Sequence, residues 1–381
     1  MNWIMPAEEI MKAPTKLFSV FTAITFVPLF IFACSDSSGN NNQSASECLT
    51  AADSTAISIT NVERENVSGQ SIDLVVYDAF LSPEGALEKF TEETGITVNI
   101  LTTADTGTMV SQAVLTSGNP IGDVMFGVDN TFLCRALLNN VFTPYKPSTW
   151  DELAVSLKLD PFARVTPVDF GDICLNYWID ESINQPSSIK DLTEREYAGS
   201  FVTQNPETSA PGMGFLLASI AVFGEDGWEQ YWRDLRENDI AVRAGWTEAY
   251  YEDFYSRERN IVTSYSTSPI AEYIFADPPV TQPPTGVIGD SCFRSIEFVG
   301  ILRGTDSPVA SAMLIDFLTS TYFQELIPET NFVLPANRNA DLPEVFNQFL
   351  QTDVEAVILA PDLIEQKRNV WTEKWTQIVL R

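Results

Sequence analysis

The stretch that decides the fold begins Ile72-Asp73-Leu74-Val75-Val76-Tyr77-Asp78, and ends Asp123-Val124-Met125-Phe126-Gly127-Val128-Asp129-Asn130. The first part is a short β-branched run, hence a strand. Ser82-Pro83-Glu84 then supplies a helix cap, a first-turn proline and an acidic first turn, and Gly95 stops that helix. Residues 96–101 read as a second strand, Asp105-Thr106-Gly107 opens a helix to about Thr116, and 123–128 is a third, buried strand. Strand–helix alternation of this kind predicts α/β architecture with an open, largely parallel sheet. Ligands of such sheets sit beyond the carboxyl ends of the strands. Tyr77-Asp78, Thr106-Gly107 and Asp129-Asn130 fall at those places.

Further along, Thr166-Pro167-Val168-Asp169-Phe170-Gly171 reads as a crossover into a second lobe. Strands at 174–179 and 201–202 follow, with a small helix over 187–192 between them. Asn205 to Gly214 leads into an apolar helix whose start is capped by Ser209, with Pro211 in its first turn. Free N–H groups there form either an anion seat or a plain helix cap. Gly245-Trp246-Thr247-Glu248-Ala249-Tyr250 and Ser264-Tyr265-Ser266-Thr267-Ser268-Pro269 bring together rings, a carboxylate and hydroxyls. That set suits a ligand with a flat cationic part and an anionic tail. A proline-rich loop over 277–284 precedes a long strand at 292–302, which returns the chain to the first lobe. Helices over 308–319 and 320–326 and an amphipathic helix over 362–380 complete the body. Two crossings between α/β lobes predict a hinged cleft binder, with 72–167 and 296–381 in one lobe and 168–295 in the other.

Composition removes most enzymatic readings. None of the 381 residues is histidine, which excludes Ser-His-Asp and Cys-His pairs and any histidine-ligated metal. Lys and Arg number 22 against 52 Asp and Glu, for a net charge of −30, so nucleic acid is not a partner. An acidic surface of this kind attracts cations or reflects a saline habitat.

The amino terminus sets the compartment. An uncharged apolar run over 17–33 follows Lys12 and Lys16 and ends Ile31-Phe32-Ala33-Cys34. Residues 1–33 read as a secretory signal, with Met11 as a possible true start. Cysteine after the small residue resembles a bacterial lipobox, which makes Cys34 the acylated first residue of an exported, membrane-tethered protein facing the periplasm or the extracellular space. A transmembrane anchor is the competing reading. Residues 34–71, rich in Ser, Asn and Ala, read as a flexible tether in which Cys48 has no structural role. Among Cys134, Cys174 and Cys292 an oxidising compartment permits one disulfide. Cys174–Cys292 is expected, because both lie on predicted strands and Cys134 on a helix.

Laid end to end, these segments resemble the thiamine-binding proteins of bacterial thiamine ABC importers, two-lobed type II solute-binding proteins, from about Ile72 to Arg381. The resemblance is carried by Tyr77-Asp78-Ala79-Phe80, Gly127-Val128-Asp129-Asn130, the Asn205 to Gly214 segment and the two stretches around Trp246 and Tyr265. It extends to Ile327-Pro328 with Asn331, and to Trp371 with Glu373-Lys374-Trp375. The resemblance implies ligand contacts at Thr106-Gly107, Ser209-Ala210, Trp246 and Tyr265-Ser266-Thr267-Ser268. Three departures stand out. Asp105 precedes Thr106 where the family has an Asp-Gly pair, Ala210 replaces a threonine, and Phe332 and Ala271 stand where the family has tryptophan and tyrosine. Thiamine pairs a cationic thiazolium with a flat aminopyrimidine. Tyr77, Trp246, Tyr265 and Phe332 are the rings to hold it, while Tyr250 and Trp371 are assigned to the core. A buried cation also wants a carboxylate, from Asp78, Asp129, Asp169 or Glu248, with Asp78 and Asp129 preferred. Hydroxyls of Ser209, Ser266, Thr267 and Ser268 take the alcohol or phosphate end. The resemblance implies a monomeric receptor without catalytic residues, metal or cofactor, delivering thiamine or its monophosphate to an ABC permease and its ATPase. Competing readings are a polyamine or ferric-iron binder of the same fold, and a thiaminase-I-like enzyme using Cys134 or Cys174 as a free thiol.

Overall fold

Two long strands organise the molecule. In the computed structural model, which describes residues 48–49, 56–57, 67–179 and 184–381, β5 (Thr166–Trp178) and β9 (Thr285–Leu302) pair antiparallel over nearly their whole length. Both are almost continuously buried, as their apolar runs require of strands covered on two faces. The crossover predicted at 166–171 is thus the first half of β5, and the strand predicted at 292–302 begins earlier, at Thr285.

A parallel group flanks each side of this ribbon. On one side lie β1 (Ser71–Val76), β2 (Thr97–Thr102) and β3 (Val124–Asp129), in the order β2-β1-β3, with β3 against β9. On the other lie β6 (Phe201–Gln204), β7 (Ala241–Arg243) and β8 (Ile261–Tyr265), in the order β8-β6-β7, with β8 against β5. Short strands β4 (Phe142–Thr143) and β11 (Ala356–Val357) pair with β9, and β10 (Leu334–Pro335) with β5. The register decides where the flanks point. β3 ends at Asp129 opposite Glu297, and β8 ends at Tyr265 opposite Ile173. Glu297 itself pairs with Asp169, so both sets of carboxyl ends converge on the middle of the ribbon. Bulges at Pro167/Asp169 and Ile173/Leu175 bracket that region, and bulges re-aim side chains.

Helices cover both faces. α1 (Ala86–Thr94) ends at Gly95, whose φ of 73° suits glycine. Asp105 caps α2 (Thr106–Leu115), accepting the Thr106 N–H at 2.6 Å. α3 (Leu133–Leu138) follows β3, and α4 (Ala210–Glu237) follows Ser209. α5 (Ser268–Ile274), α6 (Pro308–Leu318), α7 (Thr321–Asn331), α8 (Glu344–Phe349) and α9 (Pro361–Val379) come later in the chain. α7 runs through Pro328, beyond the end predicted at 326. A wide π-type helix occupies Glu248–Tyr255. Tyr250, Trp371, Trp228, Trp232 and Trp375 are all core residues.

Cys174 and Cys292 form a disulfide between β5 and the start of the buried part of β9. A second disulfide corrects the reading of Cys48 as inert. It joins Cys134 of α3, and Cys48 is buried. The Cys48 N–H donates to Asp362 Oδ1 at 2.6 Å, and its carbonyl accepts from Arg164 Nη2 at 2.8 Å. This part of the presumed tether is therefore fastened to the body, because a buried backbone group needs a partner once desolvated. The signal segment and Cys34 lie outside the described residues.

Candidate functional site

Where the strand ends converge, three carboxylates sit side by side on three neighbouring strands. Asp129 of β3 faces Glu297 of β9, which faces Asp169 of β5. All three are buried, at 0%, 5% and 1% exposure. Like charges directly opposite across a sheet destabilise it, so a row of three is costly unless something positive lies against it. Asp129 Oδ1 accepts from Thr131 Oγ1 at 2.9 Å and the Phe132 N–H at 3.1 Å. Among the described residues, Asp129 Oδ2, Asp169 Oδ1 and Glu297 Oε2 are buried without a hydrogen-bond partner.

The protonation behaviour follows. Burial pushes the Asp129 carboxyl up to about 6, against the pull of bonds from Thr131 and Phe132 and the charge of Arg368. Burial alone raises Asp169 to about 8. Glu297 lies well above its ordinary range, first through burial and then through the charges of Asp169 and Asp129. Nearby, Asp172 is matched by Arg294, whose Nη2 lies 3.0 Å from Oδ2. Among the described residues, the three carboxylates in the row have no such hydrogen-bonded cation.

Two tyrosines frame the row. The Tyr77 hydroxyl lies against the Glu297 carboxyl, and its ring covers Gly127, where a Cβ would meet ring carbon Cδ1 at 2.3 Å. Tyr265 lies over Gly171 in the same manner, with its Cδ1 2.9 Å from where a Cβ would be. Burial raises the pKa of both hydroxyls, with the carboxylates adding to it, so both are neutral donors.

The flanks meet directly around this region. Asp105 Oδ2 accepts the Trp246 N–H at 3.0 Å, the Gly107 N–H donates to the Thr208 carbonyl at 2.9 Å, and Thr267 Oγ1 donates to the Phe332 carbonyl. Thr106 Oγ1 donates to the Gly127 carbonyl at 3.2 Å. Thr106 and Gly107 are accordingly engaged within the protein, and the shifted carboxylate of Asp105 is a clasp between flanks. Burial lifts Asp105 to about 6 against its hydrogen bonds, and the charge of Asp78 adds to the rise. Asp78 is itself exposed.

The Trp246 indole stacks on Tyr250, with centroids 4.6 Å apart at 20°, and its Nε1 donates to Ser264 Oγ at 2.9 Å. Ser264 Oγ lies 2.8 Å from Ser268 Oγ, which accepts the Tyr265 N–H at 3.2 Å. The Ser266 N–H donates to the Asp172 carbonyl at 2.8 Å. Ser264, Thr267 and Ser268 thus use their hydroxyls to hold the segment after β8 in place. Ser209 is different: its buried Oγ lacks a hydrogen-bond partner among the described residues and lies beside the Asp105 carboxyl. Ala210 is the buried first residue of α4. A carboxylate at this helix start competes with any incoming phosphate. Phe332, at φ 54°, packs its ring on Phe346 and Phe275, so its carbonyl is what it brings to the joint. Glu248 accepts the Ala244 N–H at 3.0 Å and closes its own turn.

Sequence reading missed Glu297. Its signal was a lone carboxylate inside the apolar run Ile296-Glu297-Phe298-Val299. Among the described residues, the metal-type group that gathers closely is Cys48, Cys134 and Asp362, and both of those sulfurs are in a disulfide. Among the described residues, the carboxylates of the row do not form such a close group. Cys134 and Cys174 are both disulfide-bonded, which removes the thiol that a cysteine enzyme needs.

With that geometry in place, comparison with known proteins is direct. Residues 119–352 match the bacterial extracellular solute-binding protein family. The chain belongs to that family. The thiamine-binding periplasmic protein of Haemophilus influenzae is 30% identical over 313 residues, covering 80% of this chain and 91% of the relative. The solved structure of a periplasmic thiamin binding protein superposes with a TM-score of 0.73 at 25% identity, over 82% of this chain and 96% of that one. The ferric binding protein from Campylobacter jejuni shares the fold, with a TM-score of 0.67 at 15% identity over 81% and 99% of the two chains. Solute-binding proteins of this family bind and deliver their solutes rather than catalyse.

Proposed function

We propose that this chain captures thiamine between its two flanks and delivers it to the permease of an ABC importer. The observation that carries the reading is the row Asp129, Glu297 and Asp169, buried, short of partners and framed by Tyr77 and Tyr265. A permanent organic cation placed there relieves three mutually repelling groups at once and gains from the ring faces. The named relatives bind thiamine, whose thiazolium is such a cation. The Trp246 face not covered by Tyr250 is the natural platform for the second ring.

The lobes of this reading are 72–167 with 296–381, and 168–295. Their junctions fall at the bulge between Pro167 and Asp169 and beside Glu297, in the middle of the ribbon. Closure would then be a flexing of β5 and β9, held by the Asp105–Trp246, Gly107–Thr208 and Thr267–Phe332 bonds. Asp105 beside Ser209 favours thiamine over its monophosphate. Lipid anchoring through Cys34, export to the periplasmic face of the membrane and a monomeric state complete the proposal.

Calorimetric titration of the purified chain with thiamine, thiamine monophosphate, spermidine and ferric citrate tests it. Saturable one-to-one binding of intact thiamine, tighter than the other three, is the expected result. Spermidine or ferric citrate binding in its place would sink the reading while leaving the fold intact.

A further inference from the structure

A cavity lies between α2, α3, α9 and the Glu207-Thr208 turn that precedes α4, near enough to the carboxylate row for Arg368 to act on Asp129. Its walls carry Arg368 and Asn369 from α9, Arg135 from α3 and Thr108 from α2. In a chain with 22 basic against 52 acidic residues, two guanidiniums facing one cavity are an unusual concentration. They are close enough for Arg135 to oppose the charge on Arg368.

Arg368 is built in rather than splayed on the surface. It is 5% exposed, its guanidinium lies 4.3 Å from the Phe132 ring centroid, and its Nη2 is held by the Thr131 carbonyl. Its Nη1 and Nε nevertheless make no hydrogen bond among the described residues, although Glu365 Oε2 stands 3.5 Å from Nε. A guanidinium held flat with donors left over is preorganised for an oxyanion. The hydroxyls of Ser111, Thr208 and Thr372 also face this region, but each already donates to a carbonyl, of Gly107, Ala244 and Arg368 respectively. The donors left for a ligand are therefore Arg368, Arg135, the Thr108 hydroxyl and the Asn369 amide.

We infer that this cavity binds a compact oxyanion such as phosphate, at a site separate from the cation cleft. Glu365 already offsets part of the Arg368 charge and Glu207 stands at the rim, so a compact anion fits better than a polyphosphate. The donors come from α2, α3 and α9, so an anion here braces those three helices against one another.

The test uses the full chain and inorganic phosphate, titrated calorimetrically with and without saturating thiamine. Thiamine alone is titrated in parallel, so that failure of the cleft reading is seen separately. One phosphate per chain is expected, bound at least as tightly when thiamine is present. Arg368→Gln and Arg135→Gln should each weaken phosphate tenfold or more, and Arg135→Gln should leave thiamine affinity without phosphate unchanged. Arg135 is only half-buried, so its variant keeps the test open if Arg368→Gln fails to fold. Absence of phosphate binding, one-for-one displacement of phosphate by thiamine, or full retention in Arg135→Gln would each overturn the inference.

Discussion

The row Asp129, Glu297 and Asp169 and the hydroxyl segment Ser264 to Ser268 occupy the same joint, yet they are opposites. In the hydroxyl segment the side chains bond to one another, to Trp246 and to the Phe332 carbonyl. In the carboxylate row three buried oxygens lack partners among the described residues, and like charge on three neighbouring strands is aligned. A satisfied cluster stabilises and orients. An unsatisfied one stores a demand that a ligand can meet, and buried polar groups are otherwise satisfied almost throughout a folded protein. The contrast implies that the carboxylates select the ligand while the hydroxyls shape the wall it rests on.

The sharpest way to break that contrast is Glu297→Gln or Asp169→Asn. Removing a charge that pairs with a buried cation costs about 3 kcal/mol, roughly a hundredfold in Kd. The same change relieves repulsion in the empty protein, so Tm should rise by about 2 °C or more. Opposite movement of affinity and stability is the signature. A fall in both would make the row structural.

Acidity separates the same two quantities. Folded-state values raised above those of the unfolded chain mean that the folded form holds extra protons, so the empty protein loses stability as pH rises from about 4 through about 8. A cation needs the charged carboxylates, so thiamine affinity should climb over the same interval, by up to roughly tenfold per pH unit for each proton released. Calorimetry in buffers of different ionisation enthalpy would count those protons. A flat affinity profile between pH 5 and 8 would mean that the row is not what the ligand meets.

Trp246→Ala is expected to cost about 2 kcal/mol of binding, near thirtyfold in Kd, as a buried aromatic anchor does. Its effect should be smaller than that of the carboxylates because one indole face already rests on Tyr250.

Much of this was legible before the fold was known, and for physical reasons. Period and caps placed β1, β2, α2 and β3 within a residue or two, since a β-branched run and a capping Asp105 act locally; α1 stops at Gly95 as expected but starts at Ala86 after Gly85, so Ser82 is not its cap and Pro83 and Glu84 lie before its first turn. Tyr77 and Asp129 stand out in the sequence because strand ends in α/β sheets are where ligands sit, and Tyr265 through the resemblance. Glu297 was hidden by its own strand: only the register across β3, β9 and β5 shows that it stands between two aspartates. The hydrogen bonds of Ser264, Thr267 and Ser268 are hidden for the converse reason, because sequence shows that a hydroxyl is present but not that its partner is in place. Cys48 misled in the same way, through a polar neighbourhood that carries no sign of its partner 86 residues on.

Ser268→Ala tests the other side of the comparison and should have the smallest effect on binding. Its hydroxyl links Ser264 to the Tyr265 N–H, and through Ser264 to the Trp246 indole. Deleting it leaves a buried N–H and a buried hydroxyl each short of one partner, which costs about 1–2 kcal/mol of stability. Thiamine affinity should shift only about threefold, because the ring platform loosens without losing a charge or a contact surface. If the hydroxyl instead grips the ligand, Kd will weaken by more than tenfold with Tm nearly unchanged. That outcome would move Ser268 from the wall to the binding set and make the two regions alike.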